Sequence, residues 1–184
     1  MKKIAIHLAD GFEEIEAISI IDVLRRADLK VSVVSVTGEL EVTGAHQITI
    51  IADLLFEEVN YEEIDMIVLP GGLPGATNLD AHSGLKEQIK QFNTSNKSLA
   101  AICAGPLVFG NLGILNGKKA VCYPGFEKYL KGAEVLSIRV VESENIITGR
   151  GVGAALEFAL KIVEKLVSVE NAELLAKQLL VKSN

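Results

Sequence analysis

A chain of 184 residues with 49% hydrophobic and 23% charged residues is long enough to bury one sizeable core, and residues 1–184 read as one domain. A formal net charge of −6 argues against a nucleic-acid-binding surface, which needs clustered Lys and Arg. The opening "MKKIAIHLADGFEE" holds too few apolar residues for a secretion signal, and no later run approaches the roughly eighteen unbroken apolar residues of a membrane span, so a cytoplasmic protein without membrane contact is expected.

The first forty residues predict strand, helix, strand. "KIAIHLA" (3–9) is a short apolar run, and "EEIEAISIIDVLRRA" (13–27) carries Ile15, Ile18, Ile21 and Leu24 at helical spacing. "KVSVVSV" (30–36) is a Val-rich strand, and "LEVTG" and "HQITIIA" predict a hairpin. "DMIVLP" (65–70) is a strand stopped by "GG". A helix follows over 83–93, where Leu85, Ile89 and Phe92 share a face. "SLAAI" (98–102) is a buried strand and 104–113 a short helix. The stretch 119–149 is mostly β-structure, with a short helix around "GFEKYL". Two helices close the chain: 153–167, with Leu156, Ala159, Leu160 and Val163 facing inward, and 169–180, capped by Ser168. Strands alternating with helices imply an α/β fold with a mostly parallel sheet covered on both faces.

In such sheets the working residues gather at the carboxyl ends of the strands. Three loops qualify: "DGFEEIE", "PGGLPGA" and the junction in "LAAICAGPLVFG" that holds Cys103. A side chain at a sharp strand-to-helix turn projects from the sheet edge, as in a nucleophile elbow. Ala104 and Gly105 leave room there, and Pro106 suits a first helical turn. A thiol above a helix N-terminus is expected to have a lowered pKa. Cys122, the only other cysteine, lacks that setting and reads as structural, and two cysteines make no disulfide framework. The paired glycines Gly71 and Gly72 expose backbone N–H groups that, with Ala104, could form an oxyanion hole, although a plain turn explains them too. Glu13, Glu14 and Glu16 open the first helix. Solvated acids are the ordinary arrangement there, but the position allows one of them to turn inward, where burial beside a thiolate would raise its pKa. Three widely spread histidines, His7, His46 and His82, offer no metal-ligand spacing, so neither metal nor cofactor is expected.

Together "DGFEEIEAISIIDVLRRA", "DMIVLPGG", "AAICAGP" and "RGVGAALEFALKIVEKL" resemble segments of the DJ-1/ThiJ/PfpI superfamily, closest to its DJ-1 (Parkinsonism-associated deglycase) and ThiJ branch, in the right order over nearly the whole chain. The resemblance implies a flavodoxin-like three-layer sandwich of the class I glutamine amidotransferase type, and a homodimer. By motif position it makes Cys103 the reactive cysteine, Glu16 the protonated acid beside it, and Gly72 and Ala104 the backbone donors. There are departures. Ala104 replaces the histidine that follows the cysteine in the protease-like branch, Tyr123 stands before Pro124 where some relatives carry histidine, and Val152 replaces a pocket-wall proline. His46 stands where an arginine often occurs near the dimer interface, and its reach into a partner's site stays open. Gly71, Tyr123, Val152, Arg26 and His46 are thus candidate pocket residues; for Arg26, guiding an anionic substrate and lying on a solvated helix face are equal readings.

Two functions share this constellation. One is a cofactor-independent glyoxalase or deglycase in which Cys103 attacks methylglyoxal, glyoxal or their adducts. The other is a redox sensor or stress-protective chaperone whose Cys103 is oxidised to a sulfinate held by Glu16 and the backbone donors. Peptidase or amidase chemistry is disfavoured by Ala104 and the absence of a nearby histidine.

Overall fold

A computed structural model of the chain describes residues 1–181. Its centre is a seven-stranded sheet made from β1 (Lys3–Leu8), β2 (Lys30–Ser35), the short β5 (Leu54–Leu55), β6 (Met66–Leu69), β7 (Ser98–Ile102), β10 (Val140–Ser143) and β11 (Ile146–Gly149). β3 (Glu41–Thr43) and β4 (Thr49–Ile51) form the expected hairpin beside it, and β8 (Lys119–Ala120) and β9 (Glu134–Val135) a second small pair. The spatial order is β10-β11-β7-β6-β1-β2-β5, parallel throughout except for β10 against β11. β1, β6, β7 and β11 are buried along nearly their whole length because they are covered on both faces, and all but a few of their residues are apolar.

α1 (Glu14–Arg26), α5 (Ala155–Leu166) and α6 (Val169–Gln178) cover one face. Ile20, Val23 and Leu24 pack there with Phe158, Ile162 and Val163 over Ile4, Ile6 and Val68. α2 (Gly75–Ala81), α3 (Ser83–Thr94) and α4 (Pro106–Asn111) cover the other, with Leu79, Leu85, Ile89, Phe92 and Phe109 against Ile67, Leu69 and Leu99. This is the expected α/β sandwich. No helix among the described residues is long and apolar enough to cross a membrane.

Three readings need correction. α1 does not bury its isoleucine stripe: Ile15 is 57% exposed and Ile18 is exposed too, while Glu16, Ala17, Ile20 and Val23 turn inward. Contact with α5 and the sheet selects the rotation of the helix, and that rotation draws a carboxylate inside. In α5, Leu156 is exposed and Phe158 and Ile162 hold the inner face with Ala159 and Val163. The segment after "PGG", expected to be a loop, continues as α2, whose sequence "GATNLDA" has no apolar period to announce it. Ser168 caps α6 as predicted, its Oγ accepting from Asn171 N at 3.2 Å.

His7, in the middle of β1, is fully buried, with Nε2 2.7 Å from the Tyr61 hydroxyl. Burial, and then the charge of His82, lower its pKa from 6.5 to about 3. The folded chain therefore keeps His7 neutral while the unfolded chain protonates it below about pH 6.5. Stability falls as pH drops through that value, and continues to fall toward pH 3. Between pH 7 and pH 5 the expected loss from this residue is about 2 kcal/mol. Urea denaturation at both pH values should show that increment in the wild type and not in His7→Asn.

Candidate active site

β1, β6, β7 and β11 are adjacent and parallel, so their carboxyl ends lie side by side along one edge. The chain moves outward from β1 to β2 on one side and through β6, β7 and β11 on the other, which makes the crevice between β1 and β6 a topological switch point. Glu13 N donates to Gly71 O at 2.9 Å and stitches the two loops together.

Cys103 follows β7 immediately, at φ +63°. For a residue with a Cβ this left-handed conformation costs about 1–2 kcal/mol, and it persists because its neighbours over-determine it. Cys103 N donates to Gly149 O at 2.9 Å, Tyr123 N donates to Cys103 O at 2.8 Å, and Gly105 N closes the turn on Ile102 O at 2.9 Å. Cys103 is 9% exposed.

Glu16 lies in the first turn of α1 and is fully buried. Its Oε2 accepts from Gly71 N at 2.7 Å, while Oε1 has no well-aligned partner among the described residues and belongs to the carboxyl lying against the Cys103 thiol. Burial raises the Glu16 pKa to about 7, against the pull of the Gly71 amide and of the thiol. The backbone N–H groups of Ala104 and Gly72 lie near the sulfur and favour negative charge on it. Glu16, Gly71, Gly72, Cys103 and Ala104 thus lie together at the strand-end crevice.

The thiol itself departs from expectation. Burial, followed by the charge of Glu16 and its hydrogen bond, pushes the Cys103 pKa up, and the Ala104 and Gly72 donors only partly offset this. The expected lowering rested on a helix N-terminus, but α4 is six residues long and begins only at Pro106. Cys103 and Glu16 behave as one buried pair whose proton losses belong to the pair. When the proton sits on Glu16, the carboxyl becomes a donor to sulfur, and the two amides stabilise the negative charge there.

Other candidates spread out. Arg26 is not in the site: it ends α1, about 15 Å along the helix axis from Glu16, and donates to Asp22 at 2.6 Å. The His46 side chain is 69% exposed and meets Glu14, not the thiol. His46 N and Nδ1 lie 2.6 and 2.8 Å from Glu14 Oε1 and Oε2. Burial alone would raise Glu14, but His46 and the backbone amides carry it below the usual range, and Glu14 and Glu13 raise His46 in return. Folding thereby brings together Glu13, Glu14 and His46, whose candidate ligand atoms lie within 4.8 Å of one another, a grouping the linear spacing concealed. Tyr123 and Val152 line a cavity with Gly151, which the sequence reading passed over. A Cβ built on Gly151 would lie 3.2 Å from the Tyr123 ring and 3.9 Å from Cys103 Sγ, so this glycine forms the wall beside the thiol. The buried Cys122 thiol is raised to about 11 by burial and by Glu127, against Arg150.

Residues 2–165 match the model of the DJ-1/PfpI family. The chain belongs to that family. It is 43% identical over 180 residues to DJ-1 homolog B of Arabidopsis thaliana, covering 97% of this chain but 41% of that protein, so it spans under half the length of that relative. It is 37% identical over 168 residues to the glutathione-independent glyoxalase DJR-1.2 of Caenorhabditis elegans, covering 91% of this chain and 89% of that one. The solved structure of oxidized Toxoplasma gondii DJ-1 superposes with a TM-score of 0.95 at 39% identity, covering 100% of both chains. The DJ-1/PfpI fold is thus the one this chain adopts.

Gly71 leaves no room for a side chain. A Cβ there would lie 2.6 Å from Cys103 Cβ, 2.8 Å from Glu16 Oε2 and 2.9 Å from Ala104 N. Gly71→Ala is expected to cost about 1–3 kcal/mol in urea denaturation. Gly153→Ala, where the added Cβ meets nothing within 4 Å, should stay within about 0.5 kcal/mol of wild type.

Proposed function

We propose that this protein is a cofactor-independent glyoxalase or deglycase that uses Cys103 as nucleophile on a small 2-oxoaldehyde or its adducts. The placing of a buried, protonatable Glu16 beside a thiol that two backbone N–H groups also approach carries the reading. The glyoxalase name of the Caenorhabditis elegans relative supports it. In the first step the Cys103 proton passes to Glu16 and sulfur bonds to the aldehyde carbon. The carbonyl π pair moves to oxygen, which meets the N–H groups of Gly72 and Ala104. Glu16 supplies a proton to that oxygen and, now a carboxylate, removes the proton on the same carbon. The resulting enediol is reprotonated at the neighbouring carbon to leave a thioester. Water hydrolyses it to the 2-hydroxy acid and restores the thiol. Methylglyoxal and water thus give lactate with no external oxidant or reductant.

The second reading, a redox-sensing thiol, draws on the oxidized state of the Toxoplasma gondii relative. The same donors suit a sulfinate, whose two oxygens come from peroxide. One set of proteins separates the readings. Wild type given methylglyoxal is expected to form lactate above a protein-free control, Cys103→Ala none, and Glu16→Gln about 100-fold less than wild type. Absence of lactate in the wild type removes the enzymatic reading, and a gain of two oxygens at Cys103 after mild peroxide then supports the other.

The protein is also proposed to act in the cytoplasm as a homodimer, with a second copy on the apolar surface that α1 and the hairpin leave open. Ile18, Ile21, Ile50 and Ile51 line one depression there, and Ile51 is 71% exposed. Sedimentation equilibrium should give a dimer for wild type and a monomer for Ile51→Lys; a monomeric wild type at micromolar concentration would refute this assembly.

A further inference from the structure

The chain has four arginines, and three of them hold a carboxylate. Arg25 binds Asp53 at 3.0 Å, Arg26 binds Asp22 at 2.6 Å, and Arg139 binds Glu157 at 2.6 Å. Arg150 has no such partner among the described residues, although the chain carries a net charge of −6. It is not a solvated helix-face residue either. Arg150 follows β11 directly, its backbone N is fixed by Arg139 O at 2.9 Å, and it is half-buried. Its side chain lines a cavity of about 400 Å³ together with Tyr123, Pro124, Gly151 and Val152. Arg139 lines the same cavity, but its guanidinium is already committed to Glu157 and to Gly153 O. Glu127 is the carboxylate that shares the Cys122 neighbourhood with Arg150; its Oε2 accepts from Gly125 N at 2.8 Å, and it forms no ion pair with Arg150.

This cavity adjoins the thiol. Gly151 is both its wall and the residue whose missing Cβ leaves open the approach to Cys103 Sγ, and Tyr123 N donates to Cys103 O. Its volume falls in the range of sites that take whole small molecules, more than a three-carbon aldehyde fills. A guanidinium without a protein partner at the side of such a cavity offers a planar fork of donors that matches a carboxylate or a phosphate. Tyr123, Pro124 and Val152 offer apolar surface for the atoms in between.

We propose that Arg150 anchors the anionic end, carboxylate or phosphate, of an extended carbonyl substrate whose aldehyde carbon reaches Cys103. The inference rests on the reading of Cys103 as the nucleophile and assigns what the rest of the substrate carries. Neutral methylglyoxal is then the smallest compound the thiol accepts, and anionic carbonyl compounds or adducts are the class the cavity fits.

The test uses the full chain labelled with ¹⁵N and titrated separately with inorganic phosphate and with succinate. Saturable shifts are expected at the Tyr123, Gly151 and Val152 amides, with the stronger probe identifying the favoured anion. Arg150→Gln should weaken binding by about fivefold or more, and Arg150→Lys, which keeps the charge without the fork, should recover part of it. An unchanged spectrum away from the cavity establishes that the variants are folded. In parallel, the alkylation rate of Cys103 by iodoacetate relative to neutral iodoacetamide should fall in Arg150→Gln. Shifts that are absent, that lie elsewhere, or that survive unchanged in Arg150→Gln overturn the proposal. Anion binding does not depend on turnover, so a protein that binds phosphate through Arg150 but makes no lactate loses the enzymatic reading and keeps the anion site. A protein that makes lactate without binding either anion does the reverse.

Discussion

A single residue held in left-handed backbone geometry, Cys103 at φ +63°, is the constraint on which the candidate site depends. Three backbone hydrogen bonds hold the turn: Cys103 N to Gly149 O on the neighbouring strand, Tyr123 N from a separate loop to Cys103 O, and Gly105 N to Ile102 O within the turn itself. The turn lifts the side chain out of β7 toward the loops that follow β1 and β6, so the sulfur meets Glu16, Gly72 and Ala104 together. Relaxing that one torsion would return the thiol to the strand direction and separate it from its donors. The conformational cost of the turn is small beside the packing of the surrounding sheet.

Burial shapes the chemistry as much as position does. It pushes both members of the Cys103–Glu16 pair toward their neutral forms, so that they hold their protons more tightly together than either would in water. In the proposed reaction negative charge develops on sulfur when the proton passes to the ionised form of Glu16, which a pKa of about 7 keeps available, and the amides of Gly72 and Ala104 face that charge. Such a pair resists ionisation until a reaction partner arrives. This differs from a thiol kept permanently ionised by a helix terminus.

Much of the fold was legible because the central strands are buried on both faces and therefore uninterrupted in their apolar character, as "DMIVL" and "SLAAI" show. The site was legible where a rare residue fell at a strand end, as Cys103 does, and its assignment was sharpened by family resemblance at Glu16. Four things stayed hidden for physical reasons. The rotation of α1 depends on contacts with α5 that spacing alone does not encode, so exposed Ile15 looked as good a core residue as buried Ile20. α2 is built from Gly, Thr, Asn and Asp and carries no helical period. The direction of the Cys103 pKa depends on how deeply the thiol is buried against how many amides reach it, a balance of three-dimensional terms. Gly151 had only the "RGVG" spacing as a signal, and its role follows from an absent side chain.

The glycines beneath the sulfur have a consequence for how this protein changes over time. At Gly71 and Gly72 any added atom collides with backbone or with the reacting groups themselves, within 2.6 Å of Cys103 Cβ in one case and 2.4 Å of Glu13 N in the other. The floor of the pocket therefore resists any added atom, whereas Tyr123 on the rim is exposed and Val152 half-buried. A change in what the pocket accepts therefore meets less steric resistance at that rim than at the glycines below.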